Sequence, residues 1–149
     1  MEGITDGSAQ TGGRLVSEAE DIIAAGHPPI AEGIVLVDFD GTVAPFGYLF
    51  DFPEPKRRAI ESMRRLKARG LKIVIFTSRL SPLWLESVGQ TSAQHIRYIS
   101  EYLGRYGIEP DGFTAQKIPS IAIIDDKAYR YDDNWDEVAD AIIASIDRL

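Results

Sequence analysis

The residues in this chain best suited to chemistry are acids, and they come in two pairs. Asp38 and Asp40 stand one residue apart, and Asp125 and Asp126 are adjacent. Between the pairs lie two hydroxyls, Thr77 and Ser78, and an amine, Lys117. Clustered carboxylates repel one another and persist together only with a cation. Oxygen donors alone suit a hard metal, and Mg²⁺ takes one or two carboxylates together with substrate phosphate and water. A phosphomonoester is the natural substrate of such a centre. Lys117 would neutralise the remaining charge on the phosphate, and Thr77 or Ser78 would hydrogen-bond a phosphoryl oxygen. A carboxylate also attacks phosphorus, giving an aspartyl-phosphate. In that scheme Asp38, held on the metal, is the nucleophile. Asp40 gives a proton to the leaving alcohol and later takes one from water.

These groups are far apart in sequence, so the fold has to gather them. Ile34-Val35-Leu36-Val37 reads as a short buried strand that runs straight into Asp38 and Asp40, after which Gly41 allows a sharp turn. Lys72–Phe76 is a second buried strand, ending at Thr77-Ser78-Arg79. Ser120–Ile124 is a third, ending at Asp125-Asp126-Lys127, and Asp111–Ala115 is a shorter one. Helical periodicity predicts a helix opened by Pro53 and Pro55 through about Arg69, with Ile60, Met63 and Leu66 inward. Another runs from about Ser92 to Tyr106, with Ile96, Ile99 and Leu103 on one face. The last is capped by Asn134 and Glu137, with Trp135, Val138, Ile142 and Ile146 inward. Alternating strands and helices imply an α/β fold, three-layered and Rossmann-like, with a parallel sheet and helices on both faces. In such a sheet the carboxyl ends of the strands lie along one edge, where ligands bind.

The remaining segments carry less. Residues 1–13 read as a tail, and a short helix follows, with Ser17 and Glu20 as a capping box and Gly26 as its stop. The chain thus divides into 1–33, a tail and short helix, and 34–149, the functional domain. Ala44–Pro53 is a loop with five large apolar residues, Phe46, Tyr48, Leu49, Phe50 and Phe52, which either line a substrate entrance or fold back over the core. Ser81–Gly89 reads as a loop in which Trp84 packs, and Tyr129–Tyr131 as a short edge strand. His27 and His95 match no metal spacing.

Composition excludes several classes. With no cysteine there are no disulfides and no thiolate chemistry. The absence of a signal-peptide pattern or a bilayer-length apolar run makes a cytoplasmic protein away from membranes the expectation. A net charge of −7 argues against sequence-independent nucleic-acid binding, so a nucleic-acid partner is not implied. Nine of the sixteen basic residues fall between Lys56 and Arg79, a run read first as a solvated helix face with Arg57–Glu61 and Glu61–Arg65 pairs.

Taken together, Asp38-Phe39-Asp40-Gly41-Thr42, Thr77, Lys117 and Asp125-Asp126 resemble the four ordered motifs of the haloacid dehalogenase superfamily, over roughly residues 34–148. The resemblance implies that Asp38 is the nucleophile and Asp40 the general acid/base. It implies that Thr77 and Lys117 bind the phosphoryl group, with Ser78 in support. It implies Mg²⁺ held by Asp38, the backbone carbonyl of Asp40 and Asp125, with Asp126 at the metal or beside it. Members that displace halide lack the second acid, so the chain is similar to the phosphatase-type members. The intervals Asp40 to Thr77, 37 positions, and Thr77 to Lys117, 40, leave no room for a large cap domain. In the family that state accompanies macromolecular substrates or a neighbouring subunit that acts as a lid. The expected partner is therefore a phosphorylated small molecule or macromolecule end, with a homo-oligomer as one arrangement.

Two rivals use the same residues. A non-catalytic relative would bind metal or phosphate as an interaction module, and loss of Asp38 or Lys117 would have favoured it. A receiver-type phosphoacceptor domain puts its acidic pair first and its Lys last, whereas here adjacent acids close the set. No glycine-rich nucleotide loop is present.

Overall fold

The β-branched runs form strands where their patterning requires. In the computed structural model, which describes residues 33–149 and the backbone of Arg14–Leu15, five parallel strands make one sheet. They are β1 (Arg14–Leu15), β2 (Ile34–Val37), β3 (Lys72–Phe76), β4 (Gly112–Thr114) and β5 (Ala122–Ile124), in the order β1-β4-β3-β2-β5. The register aligns Val37 with Ile75 on one side and with Ile124 on the other, so Asp38, Thr77 and Asp125 leave neighbouring strands at the same edge. This is the expected α/β, Rossmann-like arrangement, without a cap domain among the described residues. The predicted tail and the predicted helix from Leu15 to Gly26 lie outside the described residues, except that Leu15 itself is in strand β1 and not in a helix. The pairing of Arg14–Leu15 with Gly112–Phe113 was not anticipated.

Side chains alternate faces along each strand. Val35, Val37, Ile73, Ile75 and Phe113 join the larger core cluster with Met63, Ile96, Ile99 and Leu103. Those four come from helices α1 (Ala59–Ala68) and α3 (Ser92–Arg105), which therefore cover this face. Ile34, Leu36, Val74 and Ile118 form a second, smaller cluster. At roughly 25 cal/mol per Å² of apolar surface removed from water, the larger cluster is the main source of stability.

Four elements depart from the sequence reading. The first helix is not opened by Pro53 and Pro55: α1 begins at Ala59, after Arg58 in the left-handed region at φ 65°. Ser81–Gly89 is not a loop: Pro82–Val88 forms helix α2, with Pro at its first turn and Gly89 closing it in the left-handed region at φ 65°. Tyr129–Tyr131 pairs with no strand. The last helix, α4 (Trp135–Asp147), forms, but the Asn134 side chain makes no capping hydrogen bond, none of the helix's residues is buried and Trp135 is 71% exposed. Its apolar side faces water and not the described core. In the basic run the local ion pair is Arg58–Glu61 at 3.1 Å, at i,i+3 spacing and not the expected i,i+4, while Lys67 pairs with Asp111 at 2.9 Å and Arg79 with Asp40 at 2.7 Å. No helix among the described residues is long and apolar enough to cross a membrane.

Candidate active site

The alternation of β2 continues past its last residue. Phe39 is fully buried, edge-on to Phe52 at 4.9 Å and to Tyr102 at 5.7 Å, and this anchors the backbone between the two acids. Asp38 and Asp40 thereby fall on the opposite side, at the strand end. The Asp38 N–H donates to the Ile124 carbonyl at 2.9 Å, which extends the β2–β5 ladder to the first acid. The chain then turns within four residues, as Gly41 N–H donates to the Ala44 carbonyl at 2.7 Å.

Gly41 has φ 84°, and a Cβ there would stand 2.4 Å from Asp126 Oδ2. The glycine is required twice, by conformation and by the acid that crowds it. Thr42 completes the turn. Its hydroxyl donates to Asp38 Oδ2 at 3.0 Å, accepts from the Asp126 N–H at 3.0 Å and lies 3.3 Å from Asp126 Oδ1. Asp125 caps its own loop by accepting from the Lys127 N–H at 2.8 Å.

Asp38, Asp125 and Asp126 each direct a carboxylate oxygen into one place, all within 4.8 Å of one another. Burial pushes the Asp38 carboxyl up to about 7, and contact with Asp126 and the charges of Asp125 and Asp126 push the same way against the Thr42 hydrogen bond. Three converging acids with no ion-paired side chain among the described residues, one of them raised in this way, are a site that a divalent cation would relieve. The donor set is oxygen alone, which fits a hard ion such as Mg²⁺.

These acids open into a pocket of about 660 Å³ that Asp40, Ser78, Arg79 and Lys127 also line. Its upper wall is apolar: Phe46, Tyr48, Leu49, Phe76 and Trp84. The aromatic loop thus divides between the two roles open to it. Phe46, Tyr48 and Leu49 face the pocket. Phe52 is buried in the core, and Phe50 stacks on Tyr98 at 3.9 Å and His95 at 5.1 Å.

Of the expected site residues, the structure brings together Asp38, Asp40, Ser78, Asp125 and Asp126. Thr77 and Lys117 do not line the pocket. Thr77 is buried, and its hydroxyl accepts from the Arg79 N–H at 3.1 Å, capping the short 3₁₀ turn Ser78–Leu80. Ser78 is the hydroxyl that faces the pocket. Lys117 is exposed beyond β4, and the pocket lysine is Lys127, whose ammonium sits 4.7 Å from the Phe46 ring centroid. Thr42 stands in the first motif without a role of its own, Arg79 reads from the sequence equally as a substrate contact or as a surface or ion-pair residue, and Lys127 lies in the right neighbourhood but fits the third motif less well than Lys117. Thr42 carried a signal, a hydroxyl four residues after Asp38 on a glycine turn. Of the two readings of Arg79, the structure shows the ion pair, with Asp40 at 2.7 Å.

His95 is buried against Arg79 and is neutral, its pKa pushed down to about 4 by burial first and the guanidinium second. A structural role is consistent with this.

No family model and no curated protein matches the chain. Among solved structures, a conserved protein coded by a locus from Bacteroides thetaiotaomicron is similar at 19% identity and a TM-score of 0.47, over 75% of this chain and 90% of that one.

Proposed function

We propose that this chain is a Mg²⁺-dependent phosphomonoester hydrolase that works through an aspartyl-phosphate on Asp38. The observation that carries the reading is the convergence of Asp38, Asp125 and Asp126 at the floor of a pocket that Lys127 and Ser78 also line. The three acids would hold the ion, whose chemistry is to neutralise phosphate charge and orient it for attack. A carboxylate oxygen of Asp38 attacks phosphorus as the ester P–O bond breaks, and the bond's electrons leave with the alcohol oxygen. Asp40 supplies that oxygen with a proton. Its two oxygens accept from Arg79 on one side, and each keeps a second lone pair for proton transfer. Water then attacks the phosphorus and gives its proton to Asp40. The P–O bond to Asp38 breaks, releasing phosphate and restoring both acids. In this reading Ser78 and Lys127, which line the pocket, would hold phosphoryl oxygens.

The test is hydrolysis of an aryl phosphate with Mg²⁺. The reading expects turnover that is abolished by chelator and by Asp38→Asn. Turnover that survives either change overturns it. One observation favours a second reading: Thr77 and Lys117, the phosphate ligands by resemblance, stand outside the pocket lining. An interaction module would bind Mg²⁺ and a phosphorylated partner without releasing phosphate.

A further inference from the structure

The proposed reaction gives Arg79 no step, yet it is the most constrained charge among the described residues, 3% exposed. Its Nε donates to Asp40 Oδ2 at 2.7 Å, and Nη2 donates to Asp40 Oδ1 at 2.7 Å and to the Tyr48 carbonyl. Nη1 donates to the Leu49 carbonyl at 2.5 Å and faces His95 Nδ1 at 3.5 Å. A guanidinium has five N–H donors and no acceptor. All five are therefore directed at protein, and none is left for a phosphate. The faces of Phe52, Trp84 and Phe39 enclose the cation at 4.9, 5.6 and 5.9 Å.

The two carbonyls that Arg79 holds belong to residues whose side chains form the apolar pocket wall, and the carboxylate it holds is the acid that serves the leaving group. We propose that Arg79 is a positioning residue that registers the wall at Phe46–Leu49 against Asp40, and that the wall so placed selects phosphomonoesters whose leaving group carries a planar aromatic ring. The selectivity rests on the phosphohydrolase reading. The tie between Arg79 and the loop does not. A ring entering beside Asp40 meets Phe46, Tyr48 and Trp84, which suit stacked or edge-on contact. An aliphatic chain gains less there. Lysine cannot replace the arginine, because a single ammonium cannot fork to both Asp40 oxygens and still reach both carbonyls.

The experiment has two arms. In the first, kcat and KM are measured for 2-phenylethyl phosphate and n-butyl phosphate, whose alcohols have similar acidity. The wild type favours the phenylethyl ester by about tenfold or more in kcat/KM. Arg79→Lys and Arg79→Gln bring the two esters within about threefold, through a raised KM for the aromatic one, and lower kcat on both. In the second arm chymotrypsin is used, because Phe46, Tyr48 and Phe50 are cleavage sites in the held loop. Cutting at 46–50, mapped by mass spectrometry against cutting elsewhere, accelerates about tenfold in the Arg79 variants. Asp40→Asn, which removes the charged fork from the other side, accelerates it as well and serves if the buried arginine cannot be replaced without unfolding. Unchanged cutting of the loop in folded variants overturns the tie, and an unchanged ester ratio overturns the selectivity. If the wild type hydrolyses neither ester, the phosphohydrolase reading and the selectivity both fall, and the cleavage arm alone decides the tie.

Discussion

Thr42 and Asp126 lie 84 positions apart and meet through a hydroxyl that is shared with Asp38. The Thr42 oxygen takes the Asp126 N–H and its proton goes to Asp38, so one side chain sets the spacing of two acids on different strands. Thr42→Val keeps the shape and removes both bonds. It should lower stability by about 1 kcal/mol and weaken Mg²⁺ binding about tenfold, as loss of a group that orients ligands does. Thermal melts and calorimetric Mg²⁺ titration check both, and unchanged affinity would remove Thr42 from the site.

The raised Asp38 carboxyl makes cation binding depend on pH. Its folded value, about 7, lies above the ordinary 3.8, so the metal-free folded chain binds this proton more tightly than the unfolded chain does. Stability without metal therefore falls as pH rises through that window. The proton also competes with the cation, so Mg²⁺ affinity should drop about tenfold per pH unit below 7 and level off above it. Titrations from about pH 5.5 to 8.5, with melts in chelator beside them, read both slopes. An affinity that is flat across this range would mean that Asp38 is not a ligand.

Gly41→Ala places a methyl 2.4 Å from Asp126 Oδ2, on a backbone at φ 84°. A strained position of this kind costs about 1–3 kcal/mol. The variant should melt lower and also bind Mg²⁺ more weakly, because Asp126 must move aside. If the variant melts lower but keeps its affinity, Asp126 is not needed for the ion.

The two lysines separate the resemblance from the geometry. Lys127 lines the pocket and Lys117 does not. Lys127→Ala should lower kcat/KM by about 10- to 100-fold, the worth of one charge-assisted contact. Lys117→Ala should stay within about threefold of wild type. The reverse order, measured on any hydrolysed phosphomonoester, would restore the motif assignment.

The strands and the first acid pair were legible because β-branched runs ending in Asp leave few alternatives. The register then brings Asp125 and Asp126 to Asp38 without further information. What the sequence could not convey was which of two neighbouring groups turns inward. Thr77 and Ser78 are adjacent, and only the 3₁₀ turn decides that Thr77 caps and Ser78 faces the pocket. For Arg79 a substrate contact and a surface or ion-pair role were equally legible, because burial of an arginine depends on carbonyls and rings that come from distant loops. Helix α4 was legible as a helix from its period. Its exposure was not, since periodicity reports an apolar side and not what covers it.

Among the described strands β5 is the outermost on its side of the sheet, three residues long and poorly covered. It carries two of the three acids at its end. A short edge strand opens more readily than the middle of a sheet, and when this one leaves β2 the acids part. For a cation held by these acids, release of the ion and fraying of the sheet would be one event, and the ion would act as a clasp on the edge.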